Sequence, residues 1–129
     1  MSKQMIKSAK LAPPVGPFSP AVRINGLVYL SGQVGQDPST GKIVEGGVER
    51  ETEQIFAGLG SVLEAAGLTF ADVIRVGVFL TDMASYAAVN SIYARFFHEP
   101  FPARTTVAVA APGRSRRNRS HRHMLTRTQ

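Results

Sequence analysis

The sequence predicts an α+β domain, one mixed sheet packed on one side by two helices in the order ββαβαβ. Three observations carry this reading. Asn25-Gly26 separates two β-prone runs, as the tip of a hairpin does. Two later stretches repeat apolar side chains every three or four positions, which is helical spacing. A run suited to a strand follows each of them, and the chain has no internal repeats. With 129 residues, 43% of them hydrophobic and 19% charged, one domain can bury a real core, and wholesale disorder is not expected.

Taken in order, Ala12-Pro-Pro-Val-Gly-Pro-Phe-Ser-Pro20 is an extended approach that proline keeps out of a helix. Ala21 to Ser31 then forms the hairpin, because a type I′ turn needs positive φ at both central residues and Asn-Gly supplies it. Asp37 to Lys42 is a loop. In Val48–Ala66 the apolar residues Ile55, Phe56, Leu59, Val62, Leu63 and Ala66 mark one helical face, and Gly67 stands where a left-handed cap belongs. Asp72 to Leu80 is β-branched and almost wholly apolar, the pattern of a strand covered on both faces. Asp82 can cap a second helix carrying Tyr86, Val89, Tyr93, Phe96 and Phe97, which Pro100 and Pro102 stop. Arg104 to Ala111 reads as the last strand.

The formal charge of +6 looks like a nucleic-acid signal until it is located. Residues 1–112 hold nine basic and nine acidic side chains and sum to zero. The other six, Arg114, Arg116, Arg117, Arg119, Arg122 and Arg127, face no acidic partner in the sequence after Pro112. The chain therefore divides into a neutral domain, 1–111, and a basic segment, 112–129, that lacks any period and is expected to be disordered. That leaves the apolar strand ending at Ala111 without a closing partner, an edge that proteins in water avoid. No apolar run reaches the roughly 18 residues of a membrane helix, and the start has no signal-peptide core. The absence of cysteine excludes disulfides, thiolate metal sites and a cysteine nucleophile, and fits a cytoplasmic location.

Phosphate-loop and metal-ligand patterns are missing: Gly58-Leu-Gly60 lies within a helix, and two of the three histidines, His121 and His123, fall in the basic segment. What remains is Arg104 at the mouth of a strand, sharing a face with Thr106, Ala108 and Ala110 by alternation. An arginine among small side chains is either paired structurally or open to an anion, and its planar fork suits a carboxylate.

Gly16-Pro-Phe-Ser19, Leu30-Ser-Gly-Gln33, Leu63-Glu-Ala-Ala-Gly67, Val78-Phe-Leu-Thr-Asp82, Val89-Asn90 and Pro102-Ala-Arg-Thr-Thr-Val107 follow one another in the order seen in a known family. Over roughly residues 8 to 111 the sequence resembles the Rid (YjgF-type) reactive-intermediate deaminases. The resemblance implies a chorismate mutase-like fold and a homotrimer with clefts between subunits. It also implies hydrolysis of 2-imino acids, or their enamine tautomers, to 2-keto acids and ammonia, with no metal or cofactor. Carried over by position, Arg104 clamps the substrate carboxylate, and Ser31, Gly32, Asn90 and Thr106 line the same cleft. Phe18 stands where many relatives have tyrosine, so it can pack on a ligand but cannot donate a hydrogen bond. On their own residues, Ser31 and Asn90 read equally as polar groups serving the backbone or a helix surface, and Phe18 as core.

The family's closing strand alternates apolar residues with glutamates, one of which positions the attacking water; here the basic segment replaces it. Reading Pro112–Arg122 one base later, with suitable third bases, can spell Leu-Gly-Ala-Arg-Val-Glu-Ile-Glu-Val-Ile-Ala. The segment is thus expected to be the out-of-frame end of an ordinary family gene, which sequencing the coding DNA checks. If the glutamate is absent, the alternative function is a trimer that binds small carboxylates without turnover. RNA binding or cleavage through Arg114-Ser-Arg-Arg-Asn-Arg119 ranks below both, since a basic run without aromatics gives only non-specific phosphate attraction.

Overall fold

The computed structural model describes residues 2–110 and the backbone of 123–128. The elements are β1 (Gln4–Ile6), β2 (Ala21–Ile24), β3 (Leu27–Gln33), α1 (Gly47–Ala65), β4 (Val73–Leu80), α2 (Tyr86–Phe96), β5 (Ala103–Ala108) and β6 (His123–Thr128). They build one six-stranded sheet in the order β1-β2-β3-β6-β4-β5, in which β4 and β5 run parallel and the other pairs antiparallel.

Local chemistry sets the turns. Asn25 and Gly26 adopt φ of 52° and 76°, the left-handed pair that joins β2 to β3. Gly67, at φ 75°, follows the last turn of α1. Asp82 accepts from the Ala84 N–H at 2.9 Å and caps the short 3-10 turn that leads into α2.

The core lies between the helices and one face of the sheet. Ile55, Phe56, Leu59, Val62 and Leu63 of α1 meet Val89, Ile92 and Tyr93 of α2 over Val28, Leu30, Val76, Val78 and Leu80. Phe56 is fully buried and stacks on Phe96 at 4.5 Å, with Phe70, Tyr93 and Phe97 edge-on to it.

Three expectations need correction. β1 was not anticipated; three residues are too short to show a period, and it forms because β2 offers a free edge. β4 is not covered on both faces within one chain. Val76, Val78 and Leu80 are buried under the helices, whereas Gly77 and Phe79 on the opposite face are half exposed. The closing strand is present: residues 123–128 pair with β3 on one side and β4 on the other, with Thr126 opposite both Leu30 and Val76. Backbone groups of β3 and β4 need partners whatever side chains the partner carries, so a segment without a glutamate fills the ladder. The rest of the expected basic tail, 112–122 and 129, lies outside the described residues. Among the described residues no helix is long and apolar enough to cross a membrane.

Candidate functional site

Parallel pairing of β5 with β4 sets Arg104 beside Val76 and Thr106 beside Val78, on the face that α2 covers. On α2, Tyr86, Asn90 and Tyr93 recur at helical spacing and form one ridge above β5. The Arg104 guanidinium enters this ridge. Its Nη2 donates to Asn90 Oδ1 at 2.7 Å and to the Tyr86 hydroxyl at 3.1 Å. Its Cζ lies 4.7 Å from the centre of the Tyr93 ring and 5.5 Å from that of Tyr86. Such contacts contribute about 0.5–2 kcal/mol depending on desolvation, and they fix the plane of the fork.

Two hydroxyls beside this cation are unusual. Tyr93 OH and Thr106 Oγ1 are both buried and have no hydrogen-bond partner among the described residues. An unpaired buried hydroxyl costs about 1–3 kcal/mol, so a fold retains it where a ligand or water completes it. Burial pushes the Tyr93 phenol above its usual range, with Arg104 pulling the other way. Exposed Tyr86 is shifted down by its hydrogen bonds with Asn90 and Arg104 and by the arginine's charge.

The remaining expected site residues form a second group. Ser31 Oγ donates to the Ser19 carbonyl, and the Ser31 N–H donates to the Pro20 carbonyl at 2.9 Å, so this serine does serve the backbone. Phe18 is not core; it is 54% exposed and stands between two openings of about 290 Å³ each. One is lined by Leu11, Val15, Phe18 and Gly32, the other by Lys3, Phe18, Tyr29 and Ser31. From β3 to β5 there are three strand spacings, or about 14 Å. Ser31 continues the alternation of Tyr29 on the uncovered face, whereas Arg104 is on the covered one. One chain therefore brings Asn90, Arg104 and Thr106 together and keeps Phe18, Ser31 and Gly32 apart from them.

Sequence reasoning passed over Tyr86 and Tyr93 as site residues, counting both as apolar positions of a helix. The available signal was their spacing: with Asn90 they sit at i, i+4 and i+7, one polar-tipped stripe. Among the described residues no three His, Asp or Glu side chains gather closely enough to hold a metal ion.

The sequence profile of the Endoribonuclease L-PSP family matches residues 9–115. The chain belongs to that family. Its human relative named 2-iminobutanoate/2-iminopropanoate deaminase is 41% identical over 109 residues, covering 84% of this chain and 80% of that one. Among solved structures, the Rid-family protein YyfA of Yersinia pestis superposes with a TM-score of 0.90 at 32% identity, over 98% of each chain. TdcF of E. coli, solved with bound serine, gives 0.84 at 27% identity over 97% of each. The fold is thus that of the Rid/YjgF proteins, the chorismate mutase-like arrangement expected from the motifs.

Proposed function

We propose that this chain is a 2-imino acid deaminase, hydrolysing substrates such as 2-iminopropanoate or 2-iminobutanoate to the 2-keto acid and ammonia. The observation that carries the reading is the Arg104 guanidinium, held flat by Tyr93 and Asn90 near two buried hydroxyls that have no partner among the described residues. Relatives at about 40% identity that bear this activity's name support it, as does a solved relative holding a small amino acid.

In this reading Arg104 receives the substrate carboxylate, which fixes the neighbouring imine carbon in the plane of the fork. Water adds its oxygen to that carbon and passes a proton to the nitrogen. The hydroxyl proton of the resulting carbinolamine then passes to its nitrogen, and the C–N bond breaks, releasing ammonia as the carbonyl forms. Tyr93 OH and Thr106 Oγ1 are the groups that hold the water or the imine nitrogen in place. The strand between β3 and β4 carries no Asp or Glu in its sequence, so it brings no carboxylate base, and positioning does more of the work.

The site is completed by a second copy of the chain in a homotrimer. Phe18, Ser31 and Gly32 reach the same ligand as Arg104 only from a neighbouring subunit, given their separation within one chain. The sheet face opposite the helices presents Val22, Tyr29, Phe79 and Val107 beside the exposed Arg75–Thr105 pair, a partly apolar surface for another copy to cover.

The test is ammonia and keto-acid release from freshly generated 2-iminopropanoate. Arg104→Ala is expected to lower kcat/KM by about 10- to 150-fold, the value of a lost charge-assisted contact of roughly 1.5–3 kcal/mol. Wild-type protein that is folded, binds 2-ketobutyrate and yet gives no acceleration would favour the non-catalytic carboxylate binder.

A further inference from the structure

We propose that the Tyr86 hydroxyl is a displaceable internal occupant of the carboxylate site, which every substrate must evict from Arg104 before it is gripped at two points. The inference rests on the reading of Arg104 as the carboxylate clamp.

A guanidinium offers two edges for two-point binding of a carboxylate. One uses Nη1 with Nη2, the other Nε with Nη2, so Nη2 belongs to both. Here Nη2 already uses its two N–H groups, one on Asn90 Oδ1 and one on Tyr86 OH. Both of these bonds leave from Nη2, and neither uses Nε or Nη1. A carboxylate that approaches Nε or Nη1 therefore finds both two-point edges blocked at the shared nitrogen.

One of the two acceptors must leave, and the structure distinguishes them. The Asn90 contact is the shorter, 2.7 Å against 3.1 Å, and it is partly buried. Tyr86 is 41% exposed, its contact lies at the surface, and it sits in the first turn of α2, where the helix is reached through a short 3-10 turn. Its exposed side chain can swing into water about the Cα–Cβ bond, whereas Asn90 has Val89 of its own helix and the core beneath it. Tyr86 thus lends its oxygen to the cation in the empty site, and a substrate carboxylate takes its place.

Tyr86→Phe keeps the ring over the guanidinium and removes the competing oxygen. KM for 2-iminopropanoate and Kd for 2-ketobutyrate are both expected to fall by about three- to tenfold, the value of one ordinary hydrogen bond, while kcat stays within about twofold. A gain in affinity with unchanged turnover is not what loss of a merely structural contact produces. A KM and Kd that are unchanged or higher in Tyr86→Phe would overturn the proposal. Arg104→Ala, measured alongside, separates the two levels. If it abolishes 2-ketobutyrate binding while Tyr86→Phe changes nothing, the clamp stands and the occupant falls. If Arg104→Ala binds as well as wild type, the clamp and the occupant fall together.

Discussion

Tyr93 places a phenol under a cation and within the core at once, and its titration follows from that position. Burial holds its folded pKa above the ordinary value of 10.0, against the pull of Arg104. A folded pKa above the unfolded one means that the native state keeps this proton more tightly. The associated stability is fully present below about pH 10 and is lost as pH rises through the folded value. Thermal unfolding between pH 9 and 11.5 is expected to show a steeper alkaline loss of Tm for wild type than for Tyr93→Phe, which has no proton to surrender. Parallel curves would contradict the assignment. The same residue shows where reading from sequence stops. Arg104 stands out in the sequence as a cation on a small-residue face, open equally to structural pairing or to an anion, and Asn90 is singled out only by the motif that the family resemblance rests on. Tyr93 was counted as apolar because its ring does belong to the core, while the direction of its hydroxyl is decided by which strand the helix lands on.

Elements whose determinants are local were recovered nearly to the residue. The Asn25-Gly26 turn needs two left-handed residues and has them, and α1 follows its apolar spacing up to Ala65, with Gly67 beyond. β1 and β6 were missed for a common reason: each is short and forms because a neighbouring edge is available, information carried by residues far along the chain. Between the helices the decisive contact is Phe56, which touches four aromatic rings and is fully buried. Phe56→Ala should cost about 3–5 kcal/mol, read as a lower urea midpoint with unchanged slope. A loss below 1 kcal/mol would mean that the helices can collapse onto the vacated volume.

For the molecule as a whole, the proposed homotrimer rests on the uncovered sheet face. Phe79 lies there, half exposed, directly opposite Val107 in the parallel pair. On the proposed homotrimer Phe79→Asp would bury a charge at each contact, so sedimentation velocity should change from three chains to one. A trimer that survives the substitution would place the contact elsewhere. Within a single chain, the order of the sheet has one more consequence. Among the described residues β3 and β4 are not neighbours in the sheet; β6 lies between them, pairing Val28 with Thr128, residues about a hundred positions apart. On a ribosome, the hairpin half and the β4–β5 half must therefore wait as two open-edged fragments until the bridging strand β6 emerges. Contacts so distant in sequence make folding slow, and each waiting edge is a template for another nascent chain. Until that strand arrives, the edges of β3 and β4 both stand open to such pairing.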